Sequence, residues 1–104
     1  FKATTNMKIA TIPTGYYEGL DRRLSNKGFV SIEERACKIL GRVSMNMASI
    51  DISEIPDEDL AKPVVEIHSN PKAKNSVLSM ARLANTNCHE ILVHIPSHLR
   101  RIVV

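Results

Sequence analysis

Apolar and polar residues alternate over short stretches along most of this chain, and turn-forming residues separate the stretches. Lys8 to Ile12 alternates and stops at Pro13, Gly28 to Ile32 follows an Asn26-Lys27-Gly28 turn, and Ala36 to Leu40 follows the polar Glu33-Glu34-Arg35. A period of two sends successive side chains to opposite faces, so these stretches read as successive hairpin strands. Gly41 introduces Arg42 to Met47, and Ala48 to Ile52 reads as another strand, ending before Pro56 and the acidic turn Asp57 to Asp59; Val64 to His68 is a further one. After Pro71 and the polar loop Lys72 to Asn75 the period changes. Across Ser76 to Asn85, Val77, Met80, Ala81 and Ala84 fall on one face of a helix, with Asn75 or Ser76 as its N-cap. Glu90 to Ile95 reads as strand, and Pro96 breaks it before Arg101 to Val104 resumes. Six to eight short strands with one short helix predict a mainly β fold, a small barrel-like or sandwich-like domain rather than a parallel βαβ sheet.

Composition sharpens this picture. The 104 residues amount to a single domain over positions 1–104, and 43% hydrophobic with 24% charged residues is a globular balance, with neither internal repeat nor low-complexity tract. A core this small leaves little room for a pocket that holds both cofactor and substrate without a partner surface. Fourteen basic against eleven acidic side chains give a formal charge of +3, but Arg22-Arg23, Lys27, Lys38, Lys72, Lys74 and Arg100-Arg101 are dispersed over the predicted hairpins. With aromatics at 4% and no Trp, stacking platforms are scarce, so no nucleic-acid partner is expected. No apolar run approaches the roughly 20 residues of a membrane span, and residues 1–14 do not read as a leader, which predicts a soluble cytoplasmic protein without a membrane partner. Cys37 and Cys88 lack metal-type spacing and are expected as free thiols, with one disulfide between them as the lesser alternative. Cys88, His89, His94 and His98 lie close in sequence, but on a strand the odd offset from His89 to His94 sends them to opposite faces, so no metal site is expected. The first residue is Phe1 rather than Met, which reads as a piece of a longer polypeptide.

One long stretch carries more specific information. Thr11-Ile12-Pro13-Thr14-Gly15-Tyr16-Tyr17-Glu18-Gly19-Leu20-Asp21-Arg22-Arg23-Leu24-Ser25-Asn26-Lys27-Gly28 resembles the signature that opens the C-terminal β-domain of alanine racemases. Gly41-Arg42-Val43-Ser44-Met45-Asn46 is similar to the Gly-Arg-Val-Cys-Met-Asp of that family, and Thr86-Asn87-Cys88-His89-Glu90-Ile91-Leu92 resembles Thr-Ile-Asn-Tyr-Glu-Ile-Leu. Several motifs in the right order with compatible gaps are far more specific than any one of them.

The resemblance implies the cap of a fold-type III pyridoxal-phosphate enzyme. In such an enzyme an N-terminal α/β barrel carries pyridoxal phosphate on a lysine, and the β-domain of one subunit covers the barrel mouth of the other in a homodimer. The expected partner is thus the barrel, and the expected reaction is the interconversion of L- and D-alanine, an isomerisation serving peptidoglycan synthesis. One base is the barrel lysine; the other is a tyrosine that, counted back from Tyr16, falls just before Phe1. Racemisation needs a base on each face of Cα and an electron sink, so this chain alone, with no catalytic residue of its own, is expected to be inactive. By the same resemblance Tyr16 lines the substrate corridor, Arg22 and Arg42 belong to its basic entrance, and the Met45 main-chain N–H meets the substrate carboxylate. Several positions depart from the family pattern. Asn46 replaces an Asp at the entrance, Ser44 replaces a Cys, and Tyr17-Glu18 stand for Ala-Asp. His89 takes the place of the tyrosine that contacts the cofactor phosphate, where an imidazole still offers a donor. The competing reading is a stand-alone small β-barrel module for interaction or assembly, without catalysis.

Overall fold

The computed structural model describes residues 1–100 and 102. Five antiparallel strands, β1 (Ile9–Ile12), β2 (Phe29–Ile32), β3 (Arg35–Leu40), β4 (Ala48–Asp51) and β5 (Val65–Glu66), form a sheet in the order β1-β4-β3-β2-β5. β3 is the pivot. Its first four residues pair with β2 from Ile32↔Arg35 to Phe29↔Lys38, whereas Ile39 and Leu40 pair with Ile50 and Ser49 of β4. A strand that changes partners along its length bends the sheet, which curls here into a half-barrel.

The alternation read from the sequence is the burial pattern found in β1, β3 and β4, while β2 buries Val30, Ser31 and Ile32 in succession. Ala48 and Ile50 of β4, Cys37 and Ile39 of β3, and Ile12 of β1 turn inward and are buried, joined by Leu20, Leu24, Val43 and Ile55 from the connections. Burial of such side chains contributes about 1.5–3 kcal/mol each. Cys37 and Cys88 are free thiols, the first buried and the second half-buried. Burial, with the nearby Asp51 charge second, pushes the Cys37 thiol up from its ordinary range.

Helix α1 (Val77–Leu83) lies where the period change predicts it, and its N-cap is Ser76, whose hydroxyl accepts from the Ser79 N–H at 3.1 Å. Asn75 turns inward instead. Its buried Nδ2 donates to Ser31 Oγ and to the Glu66 and Ile67 carbonyls, fastening the short β5 edge to the start of the helix. The stretch predicted as strand from Val64 to His68 pairs only over Val65–Glu66, with Ser31↔Glu66 and Ile32↔Val65.

The C-terminal stretch corrects the sequence reading. Residues 90–95, expected as strand, belong largely to a second helix, α2 (Cys88–Val93), so the described residues form two short α-helices and five strands in place of one helix and six to eight strands. Local β preference of Ile91, Leu92 and Val93 loses to an N-terminal cap: Asn87 Oδ1 accepts from the Glu90 N–H at 2.9 Å, and Ile91 anchors the helix in the core. Of the strand expected over Arg101 to Val104, Arg101, Val103 and Val104 lie outside the described residues. Among the described residues no helix is long and apolar enough to cross a membrane.

Candidate functional site

Gly15 is where the site begins, because its missing side chain lets two segments touch. A Cβ there would stand 2.1 Å from the Ser44 carbonyl oxygen and 2.6 Å from the Met45 carbonyl. Across this contact the Tyr16 N–H donates to the Ser44 carbonyl at 3.0 Å and the Tyr17 N–H to the Met45 carbonyl at 2.9 Å. Glu18, ending the 3-10 turn Tyr16–Glu18, completes the latch: Oε1 accepts from the Gly15 N–H at 2.9 Å and Oε2 from Asn46 Nδ2 at 3.1 Å. An aspartate at position 46 would set two carboxylates face to face, so Asn46 is matched to Glu18 here. The turn from Ser44 to Met47 closes with the Ser44 N–H donating to the Met47 carbonyl. Among the described residues none of these bonds uses the Met45 N–H. Tyr16, Tyr17, Met45 and Met47 leave about half of their surface exposed on these two joined segments.

Beside the latch opens a cleft of about 500 Å³, lined by Tyr16, Gly19, Asp21, Arg22, Arg23 and His94. Gly19, in the left-handed region at φ 98°, lets the chain after α2 come close: a Cβ there would lie 2.9 Å from the His94 carbonyl oxygen. Farther along, the His98 ring stacks on Tyr17 with centroids 5.0 Å apart. On the cleft floor Arg23 holds two acids. Its Nε and Nη2 donate to Asp21 at 3.1 and 2.8 Å, and Nη2 also donates to Glu90 on α2. Asp21 and Glu90 are both pulled below the usual carboxylate range, Asp21 chiefly by the Arg23 hydrogen bond and Glu90 by Thr86 and then Arg23. The guanidinium is correspondingly held protonated.

The sequence-predicted residues do not all meet. Tyr16 and Arg22 share the cleft, and Met45 and Asn46 are tied to the segment carrying Tyr16. Arg42 is exposed just beyond β3 and does not line this cleft. His89 is exposed on the first turn of α2. The strand argument against a metal at Cys88, His89, His94 and His98 no longer applies on a helix. The group of metal-ligand type found among the described residues is instead Asp21, Glu90 and His94, with donor atoms within 4.8 Å of one another, and Arg23 bridges its two carboxylates. Sequence reasoning missed Asp21, Arg23, Glu90 and His94 as a unit, because Arg23 and Glu90 stand 67 positions apart and no local pattern joins them. The signal for α2 itself was present in Asn87 followed three residues later by Glu90, and in the i, i+3, i+4, i+7 spacing of Cys88, Ile91, Leu92 and Ile95.

Comparison with known proteins gives a family match, described as alanine racemase, C-terminal domain, over residues 1–103. The chain belongs to this family. An alanine racemase of Leptospira interrogans is 33% identical over 104 residues, which cover 100% of this chain and 27% of that protein. One from Halothermothrix orenii is 40% identical over 94 residues, 90% of this chain and 25% of the relative. The solved biosynthetic alanine racemase from Pseudomonas aeruginosa superposes with a TM-score of 0.80 at 29% identity, over 96% of this chain and 27% of that one. The Bartonella henselae alanine racemase, solved with covalently bound pyridoxal phosphate, gives 0.75 at 30% identity over 92% of this chain and 27% of that one. The chain thus spans about a quarter of the length of these relatives. The half-barrel with its two short helices matches the alanine racemase C-terminal domain architecture.

Proposed function

We propose that this domain completes the substrate entrance of a pyridoxal-phosphate-dependent alanine racemase, in a homodimer where it covers the barrel mouth of the partner subunit. The observation that carries this reading is the convergence at one end of the half-barrel of the Tyr16 and Arg22 cleft with the Met45 turn, whose main-chain N–H stays unengaged among the described residues. An unengaged N–H on the segment bonded to Tyr16–Tyr17, together with Arg22 in the cleft that Tyr16 lines, suits an amino-acid carboxylate, since charge-assisted donors hold such a group and fix its orientation. Arg42, exposed beyond β3, supplies positive potential that draws an anion toward the entrance rather than a contact in the cleft. The half-exposed Tyr16, Tyr17, Met45 and Met47 form the kind of apolar surface that a barrel covers.

The residues present also suit a phosphate-bearing cofactor. His89 is exposed and able to donate to a phosphate oxygen, and α2, which carries it, ends at His94 in the wall of the basic cleft. When bound, pyridoxal phosphate supplies the electron sink that makes the Cα–H of an amino acid removable. This chain's own contribution is binding and orientation: Met45 N–H and Arg22 for the carboxylate, Tyr16 for the width of the passage, and His89 for the phosphate. In this reading the groups that move the proton lie outside these 104 residues.

The test compares the 104-residue chain with the polypeptide that joins it to its barrel, each given pyridoxal phosphate and L-alanine. D-alanine is expected only from the joined polypeptide, and Arg22→Ala there is expected to raise KM several-fold with a smaller change in kcat. D-alanine from the isolated chain, or none from the joined polypeptide, would overturn the reading.

A further inference from the structure

The proposed phosphate contact needs His89 held in one direction, and α2 by itself cannot do that. A six-residue helix is marginal in water, and its one core face, the buried Ile91 with the half-buried Cys88 one turn before it, holds it from a single side. Glu90 is the second anchor. It projects about 100° around the helix from Ile91 and reaches Arg23, whose other hydrogen bonds go to Asp21. Asp21 is fixed in turn, with its side chain only 8% exposed and its Oδ1 accepting from the Arg23 N–H at 2.8 Å at the start of the 3-10 turn Arg22–Leu24. At the far end of α2 the side-chain-free Gly19 receives the His94 carbonyl.

We propose that Arg23 is a positioning residue which, through Glu90, sets the rotation of α2 and so aims His89 at the cofactor phosphate. The inference rests on the proposed function, since His89 must meet the phosphate for its direction to matter. It also couples the two walls of the entrance, because Arg22, lining the cleft, and Arg23, holding α2, are adjacent in one turn. A shift of this turn moves the carboxylate-binding and phosphate-binding sides together.

The deciding measurement is the dissociation constant of pyridoxal phosphate for the joined polypeptide, read by absorbance titration, in Arg23→Ala, Arg23→Lys, Glu90→Gln and His89→Ala variants, with thermal midpoints alongside. Arg23→Ala is expected to weaken cofactor binding by roughly three- to fivefold, the size of a partly exposed ion pair. Glu90→Gln, which keeps a hydrogen-bond acceptor, and Arg23→Lys, which keeps the charge, are expected to fall between it and the parent, and they preserve the test where Arg23→Ala fails to fold. Faster amide hydrogen exchange in α2 with unchanged exchange in β4 is the second expected signature. If His89→Ala weakens binding while the Arg23 and Glu90 variants lower only the thermal midpoint, the positioning role is wrong and the phosphate reading survives. If His89→Ala leaves the dissociation constant unchanged, the phosphate contact fails and this inference falls with it.

Discussion

Gly15 shows how much of the contact between the Tyr16 and Met45 segments depends on one absent atom. Its backbone is extended, at φ −135° and ψ −160°, so any residue could adopt the conformation; what excludes a side chain is the Ser44 carbonyl 2.1 Å from where a Cβ would sit. Gly15→Ala must therefore part the two segments and loosen the bonds from Tyr16 and Tyr17. Destabilisation of about 1–3 kcal/mol is expected in urea unfolding, and an unchanged midpoint would contradict the close approach. At this scale the motif resemblance named Tyr16, Met45 and Asn46 together, and hydrogen bonds join the segments that carry them. It gave no hint that Glu18 grips Asn46, because a side-chain pair 28 positions apart leaves no trace in a single sequence.

The β2–β3 hairpin turns through Glu33 and Glu34, both in the left-handed region at φ 48° and 64°. A two-residue hairpin loop favours that conformation because its twist matches the strands, yet it is the geometry that an asparagine followed by a glycine adopts most readily, and a glutamate is strained there by its Cβ. The double substitution Glu33→Asn with Glu34→Gly is expected to raise stability by about 1–2 kcal/mol. A thermal midpoint that stays put or falls would show that the glutamates are held by something other than the turn. Strands bounded by turn residues were legible to within a residue or two, since β1, β3 and β4 bury alternate side chains along much of their length. α2 was not, because so short a segment with apolar residues at 88 and 91–93 fits either period, and only the cap and the core anchor decide between them.

Across the whole molecule, acid sensitivity follows from the charges that tie the N-terminal turns to α2. Asp21 and Glu90 titrate below their ordinary values of 3.8 and 4.5 in the folded chain, with Arg23 between them and the His94 charge lowering both. Carboxylates with depressed folded values contribute stability that is complete above about pH 4.5 and is lost as pH falls through those values. Arg23→Ala is therefore expected to flatten the fall in thermal midpoint between about pH 5 and pH 3. An equally steep fall in the variant would assign acid sensitivity to other carboxylates. The fold class was legible from short strands and turns, whereas the half-barrel's curl came from β3 changing partners, which no local pattern records.

That topology also dictates an order of events during synthesis. β2 and β3 are joined by two residues and can pair as soon as both exist, but Ile9 pairs with Asp51 and Ile12 with Ala48. None of the β1 ladder can form until the ribosome has delivered β4, about forty residues later, and loop closure then spans the whole intervening hairpin. In the meantime Ala10 and Ile12 have no sheet to enter. The first strand of this domain to be made is thus among the last of its strands to dock, and a nascent chain that stalls before β4 carries an unpaired, half-apolar edge for as long as the stall lasts.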